Sequence, residues 1–524
     1  MCETASSWYG CGMMTHRAGD ARGARGDGHR RKALAPEPFG PLPSTRQLAW
    51  HELEMYGFLH FTVNTFTDRE WGYGDESPDL FNPSDFSADQ IVETAGQAGM
   101  AGLILTCKHH DGFCLWPSRY TDHSVRRSPW RRGEGDVVRE ISDACAARGL
   151  RFGVYLSPWD RNHAGYGRPE YLRFFRNQLE ELTSEYGDLF EVWFDGANGG
   201  DGYYGGARET RRIDRRTYYD WENTWKIVRR NQPNAVMFSD AGPDIRWVGN
   251  EDGIAGDPCW ATVTRRGLFP GVDDEAFRTY AAAEMVDAWA SPRDLLNQGD
   301  PNGEDWLPAE CDVSIRPGWF YHPAEDGAVR PAGNLFDLYL RSVGRGGSLL
   351  LNLPPDRRGR IHETDVDSLR GFRARVDRLF AHNLATADPR VPAAAPAAAP
   401  AAVTATSTRG DDPLFGAANL IDGDCDSYWA SDELQADVVL DFGREVDFTT
   451  VSVREAIGLG QRVRGYAIDV DRGGWREIAR GRSIGSRRLV HGERRRTRRI
   501  RLRITESAAP AVLRELGVYL DPGA

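Results

Sequence analysis

Along most of the chain, short apolar runs bounded by turn residues alternate with longer stretches whose apolar positions recur at helical spacing. The runs Tyr56–Thr62, Gly102–His109, Phe152–Ser157, Phe190–Asp195, Val236–Ser239, Arg246–Asn250, Asp312–Arg316 and Ser348–Leu353 predict strands. Among them, Asp89–Gly99, Asp136–Arg148, Pro169–Tyr186 and Asp220–Asn231 predict helices. Regular alternation of strand and helix implies βαβ units and a parallel sheet, since parallel neighbours need a crossover. Over this length a closed (β/α)8 barrel, TIM-like, fits better than an open sheet. Long connections between Gly253 and Pro308 blur the pattern there.

The pattern changes at 391–402, an uncharged alanine-proline tract that reads as an extended linker. It separates a barrel domain over 36–390 from a second domain over 403–524, in which helical spacing disappears. There Asp437–Phe442, Thr450–Glu455, Arg464–Asp469, Arg499–Ile504 and Glu515–Tyr519 predict an all-β jelly-roll or sandwich. Residues 1–35 are rich in Arg, Gly and Ala, a composition that predicts disorder. They lack the apolar centre of a secretory signal. A cytoplasmic location is therefore the default expectation, with secretion only if the start codon has been placed too far upstream.

Composition narrows the function classes. A net charge of −12 argues against a nucleic-acid partner, because phosphate binding needs clustered positive charge. No apolar run is long enough to span a bilayer, so no membrane partner is expected. The cysteines are scattered, with no close pair, which argues against zinc and for buried free thiols. Sixteen tryptophans are many, and indole faces suit the C–H faces of sugars, although large enzymes also carry aromatic cores.

Polar residues recur where a barrel would use them. His60, His109, Ser157, Asp195, Asp240 and Asn352 come at the C-terminal ends of predicted strands, the end at which barrel enzymes build their sites. A residue that merely stops a strand would be Asn, Asp, Ser or Gly, not a histidine pair. In Glu191-Val-Trp-Phe-Asp195-Gly196 an apolar strand ends in a carboxylate. That is costly unless the side chain reaches a polar cleft, where it can attack an anomeric carbon. The rival reading is an ordinary Asp-Gly turn. In Lys108-His109-His110-Asp111-Gly112-Phe113, two imidazoles can hydrogen-bond sugar hydroxyls or ligate a metal. Adjacent strand residues face opposite ways, so a shared metal needs irregular backbone, and sugar contact is preferred. Glu70-Trp71 adds an acceptor and a flat apolar wall.

These strings together resemble the α-L-fucosidases of glycoside hydrolase family 29, from about Trp50 to Pro355. The resemblance rests on Gly57-Phe-Leu-His60, Glu70-Trp71, Lys108-His-His-Asp-Gly-Phe113, Phe152-Gly-Val-Tyr155 and Trp193-Phe-Asp195-Gly196, in that order. It implies a catalytic barrel, net retention, and Asp195 as the nucleophile. It also implies that His60, Glu70, Trp71, His109, His110 and Tyr155 line a fucose pocket. Glu251, closing Gly242-Pro-Asp-Ile-Arg246-Trp-Val-Gly-Asn250-Glu251, is the expected acid/base, and Glu310 in Leu307-Pro-Ala-Glu310 the alternative. Arg246 is expected to bond a ring hydroxyl or hold a carboxylate ionised. This stretch resembles the branch acting on α-1,3/α-1,4-linked fucose, while Glu310 and Arg316-Pro-Gly-Trp319 could instead shape the leaving-group side. Fucosylated oligosaccharides or glycoconjugates are the expected partners, and the catalysis calls for no metal or organic cofactor. The alternatives are a retaining glycosidase for another sugar and a non-catalytic carbohydrate-binding protein.

The second domain carries Asn419-Leu-Ile-Asp422-Gly-Asp424, Ser427-Tyr-Trp429 and Val438-Val-Leu-Asp441-Phe-Gly443. It resembles the discoidin or factor 5/8 type C fold, close to carbohydrate-binding module family 32. That resemblance implies sugar binding as an option and a structural calcium near Asp422-Gly-Asp424. The basic run Arg494–Arg503 reads as a solvated face rather than a polyanion site.

Overall fold

The computed structural model describes residues 33–239, 242–265, 268, 292–387 and 400–523. Eight parallel strands close into a barrel: β1 Met55–Leu59, β2 Gly102–Lys108, β3 Arg151–Leu156, β4 Leu189–Trp193, β5 Val236–Ser239, β6 Ile245–Trp247, β7 Ala309–Ser314 and β8 Ser348–Asn352. β1 pairs with both β2 and β8, which closes the ring. Most of residues 1–35 and of the tract 391–402 lie outside the described residues, as does Asp240.

Three strands differ from expectation by three residues at one end, and the first is β1, which stops at Leu59 instead of Thr62. β6 stops at Trp247 instead of Asn250, because Gly249 takes a positive φ of +84° and the Asn250 carboxamide caps the turn that follows. β7 starts early, at Ala309, where Ala309 and Glu310 pair with Arg246 and Trp247. A glutamate facing the barrel interior hid that start from an apolar-run criterion. β5 and β6 are separated only by residues 240–244, too short a connection for a crossover helix.

Helices at Ala88–Gln97, Val137–Arg148, Pro169–Glu185 and Trp221–Asn231 match the four predicted, and Ala332–Arg341 and Glu363–Leu379 follow later. Val137–Arg148 illustrates why. The Asp136 side chain accepts the Arg139 N–H at its start, Gly149 ends it at φ +72°, and Val137, Val138, Ile141 and Cys145 form the buried face. Such faces cover the outside of the barrel. Inside it lies a smaller aromatic cluster that includes Tyr56, Phe58, Tyr155, Trp193, Phe238 and Ile245. Among the described residues, no helix is long and apolar enough to cross a membrane.

The second domain is a seven-stranded antiparallel sheet with its own apolar core. Two of its strands, Ala436–Glu455 and Arg488–Ser507, run for 20 residues each and pair with register shifts, the irregularities that let long strands bend. The basic run is neutralised across the sheet: Arg494 meets Asp447 at 2.8 Å, Arg498 meets Asp441 at 3.0 Å, and Arg501 and Arg503 share Asp469. Asp422 and Asp424 accept backbone N–H groups of their own exposed loop.

Barrel and sheet meet over a polar seam. Glu54, just before β1, receives Arg454 and Arg487 from the second domain. Arg488 holds Asp257, and the Cys259 and Ala261 N–H groups reach Ser483 and Gln461. Cys107, Cys114, Cys145, Cys259 and Cys311 are buried free thiols, and Cys425 is exposed.

Candidate active site

Side chains on a barrel strand alternate inward and outward, and three strands set the depth of the site. On β1 the inward series runs Tyr56, Phe58, His60; on β4, Glu191, Trp193, Asp195; on β7, Glu310, Asp312, Ser314. The first member of each lies deep in the barrel, and the later ones approach its C-terminal mouth. One pocket opens there, lined by Phe58, His60, Glu70, Trp71, His109, His110, Trp193, Asp195, Gly196, Ala197, Phe238, Trp247, Glu251, Asp312 and Trp319. Phe58, Trp193 and Phe238 form its floor, the latter two stacked 4.0 Å apart.

Asp195 follows the end of β4 and keeps partial access to the pocket. Its Oδ1 accepts the Ala197 N–H at 2.7 Å and its Oδ2 the Tyr155 hydroxyl at 2.9 Å. Burial raises its pKa, and those two hydrogen bonds pull it back. Tyr155 is fully buried and absent from the pocket lining. Instead of facing the ring as expected, it holds the carboxylate from below.

The Lys108–Phe113 string divides its labour. Lys108 is buried outside the barrel, donating to Asp160 at 3.0 Å and Gln178 at 2.9 Å. Asp160 in turn caps the N–H groups of Asn162 and His163. Asp111 accepts the Thr62 hydroxyl and the Phe113 N–H, tying this loop to the one after β1. The backbone leaves strand geometry after Lys108 and turns through Gly112, whose φ of +80° favours glycine and whose Cβ would meet Asp160 at 2.5 Å. Because of that turn, His109 and His110 face the same pocket. The irregular backbone that a shared metal would require is therefore present. His109, His110 and Asp195 offer ligand atoms within 4.8 Å of one another.

Hydrogen-bond partners fix how two of the imidazoles are protonated. The Ser157 hydroxyl donates to the Trp159 carbonyl at 2.6 Å, so its oxygen receives His110 Nδ1–H at 2.7 Å. The Asn352 amide donates to Ser314 and Trp319, leaving its Oδ1 to receive His60 Nδ1–H at 2.9 Å. Both rings thus keep a bare Nε2, and that of His110 lies 3.6 Å from Asp195. Burial pushes His60 and His110 down to about 3, and His109 well below the usual histidine range. All three rings are neutral at pH 7.

The rim is built by loops. Trp71 is 53 % exposed and sets its ring edge-on to His110 and Trp159. Glu70 takes the Trp319 and Phe320 N–H groups at 2.8 and 3.1 Å and His322 at 2.6 Å, fastening the loop after β7. Glu251 is exposed at the pocket edge, where the Trp319 indole donates to it at 3.1 Å. Asp312 lines the same wall, receives the Trp247 indole at 2.9 Å, and is pushed well above the carboxylate range by burial and by the charges of Glu251 and Glu310.

Two expected residues sit elsewhere. Arg246 lies between Ile245 and Trp247, which point inward, so it points outward. Its buried guanidinium serves the carbonyls of Leu296, Leu307 and Trp260. Glu310 points inward but a layer too deep, fully buried under Trp193. Phe58, Phe238, Trp247 and Asp312 were not singled out as pocket residues from sequence. The signal for Asp312 was available, two positions beyond Glu310 on the same inward face.

Comparison with known proteins places the chain in a family. Residues 42–250 match the family described as alpha-L-fucosidase, and residues 402–516 the F5/8 type C domain. The chain is 39% identical over 495 residues to alpha-L-fucosidase 1 of Arabidopsis thaliana, covering 93% of this chain and 89% of that one. Among solved structures, a glycoside hydrolase 29 family member from an unknown rumen bacterium is 41% identical with a TM-score of 0.78, covering 93% of this chain and 78% of that one. A Ruminococcus gnavus fucosidase of the same family, solved in complex with fucose, is 30% identical with a TM-score of 0.80, covering 93% and 97%. This chain, a barrel joined to an F5/8 type C domain, thus has relatives that match over nearly its whole length, and it belongs to the α-L-fucosidases of glycoside hydrolase family 29.

Proposed function

We propose that this enzyme removes α-1,3- or α-1,4-linked L-fucose from the ends of branched glycans with net retention, using Asp195 as nucleophile and Glu251 as acid/base. One observation carries the reading: Asp195 and Glu251 line the same pocket, whereas Glu310 is sealed beneath its floor. The linkage preference rests on the likeness of Gly242–Glu251 to the branch with that specificity.

In the first step Asp195 attacks the anomeric carbon while Glu251 gives its proton to the departing oxygen. In the second, Glu251 takes a proton from water, which attacks the fucosyl-enzyme from the same face. Both carboxyls must approach one bond, a separation of roughly 5–5.5 Å in retaining enzymes. Asp195 is held for attack by the Tyr155 hydroxyl and the Ala197 N–H. The bare Nε2 atoms of His60 and His110 accept hydrogen bonds from ring hydroxyls, with Glu70, Trp71 and His109 completing the grip. The relative solved with fucose supports the sugar.

Hydrolysis of an aryl α-L-fucoside tests the roles. Asp195→Asn should lower turnover at least about 10³-fold, and azide should rescue Asp195→Gly as the β-fucosyl azide. Glu251→Ala should slow poor leaving groups by about 10²–10⁴ and activated aryl groups far less. The same signature in Glu310→Ala instead would overturn the Glu251 assignment.

A further inference from the structure

Beneath the pocket floor lies a polar cluster that the mechanism above does not use. Glu191 on β4 and Glu310 on β7 are both fully buried and reach toward each other across the barrel interior. Glu310 Oε1 accepts the Trp193 indole N–H at 2.7 Å, and its Oε2 accepts the Tyr56 hydroxyl. The Trp50 indole N–H is shared between Tyr56 at 2.9 Å and Glu191 Oε2 at 3.2 Å. Glu191 Oε1 has no donor to accept from.

Two neighbouring carboxyls in an apolar interior cannot both ionise. Burial and the charge of Glu310 push Glu191 well above the carboxylate range, and a hydrogen bond to Glu310 does the same. The orphan oxygen is accounted for if Glu191 carries the proton and donates it to Glu310. Burial raises Glu310 as well, but hydrogen bonds from Glu191, Tyr56 and Trp193, on β4 and β1, pull it back, so it is the acceptor of the pair. Such a cluster is costly to bury and often adds nothing to stability. Its value should therefore be sought in what it positions.

What it positions is the floor. Trp193 lines the pocket, stacks on Phe238 at 4.0 Å, and lies against Tyr155 at 5.3 Å with the planes 24° apart. Tyr155 donates to Asp195. The rings themselves are slippery, and the one polar handle on the floor, the Trp193 N–H, is anchored in Glu310. We propose that Glu310 is a positioning residue for the reaction, accepting the Trp193 N–H and so fixing Trp193 and, through Tyr155, the attacking oxygen of Asp195. The inference rests on the assignment of Asp195 as nucleophile.

The test is a double-mutant cycle on kcat with an aryl α-L-fucoside. Glu310→Leu removes the acceptor; replacement of Trp193 by β-(3-benzothienyl)alanine removes the N–H and keeps the ring shape. Each change should lower kcat about tenfold or more, with KM moving less than about threefold. Together they should be no slower than the slower single variant, because both cut one bond. Glu310→Gln, which keeps an acceptor, should recover most of the loss. A purely structural role predicts additive losses and no rescue, and either result overturns the proposal. Should Glu310→Leu fail to fold, the benzothienyl variant decides alone: wild-type kcat there overturns the proposal. Turnover retained in Asp195→Asn would sink the nucleophile assignment instead, an outcome the cycle does not mimic.

Discussion

His51 shows the electrostatic logic of the pocket histidines at a position away from the pocket. It is buried, its Nε2 accepts the Trp306 indole at 3.2 Å, and burial together with Arg514 pushes it down to about 3. The unfolded chain protonates this ring below about 6.5 while the folded chain does not, so its contribution is complete above pH 6.5 and drains away as pH falls toward 3. His51→Gln has no such proton to take. The stability gap between variant and wild type should move in the variant's favour as pH drops through that window, measured by urea melts; a gap independent of pH would refute the assignment. At this scale the sequence was legible for Asp195 and the histidine pair, whose residue types are improbable as mere strand ends. It was not legible for Arg246, because a cation beside a tryptophan looks alike whether it faces in or out. Only the positions of Ile245 and Trp247 decide that.

Elements carry the next level. Apolar runs located all eight strands, yet the depth of a side chain within the barrel needed the inward register, and that is why Glu310 was readable as a pocket residue. The loops were harder, because their contacts are long-range. Arg161 is the clearest case: it donates to the carbonyls of Gly72 and Asp201 and lies over Tyr73 and Trp159 at 4.6 and 5.2 Å. It therefore knits the loops after β1, β3 and β4, and its own N–H reaches the His110 carbonyl. Nothing in its sequence neighbourhood announces this. Arg161→Ala should loosen Trp71 and His110 together and lower kcat/KM about tenfold or more, mostly through KM, since bonds from a buried cation are worth about 1.5–3 kcal/mol. Steady-state kinetics would check it, and a loss confined to kcat would count against the knitting role.

For the whole molecule, the joint between barrel and sheet sets how the chain melts. Burial raises the Glu54 carboxyl but Arg487 and Arg454 outweigh it, bringing it down to about 2. Removing that anion strands two cations at the joint. With its side chain 21 % exposed, Glu54→Gln should cost about 3 kcal/mol, the low end for breaking a buried pair. Calorimetry should resolve one transition in the wild type and two in the variant. The pocket has a further consequence. Its floor of Phe58, Trp193 and Phe238 rests on a packed interior, so among the described residues the pocket ends blind and opens at the barrel mouth. Under the proposed mechanism the terminal sugar would enter and free fucose would depart by that mouth, one after the other. On that reading, a pocket that still holds fucose is closed to the next substrate.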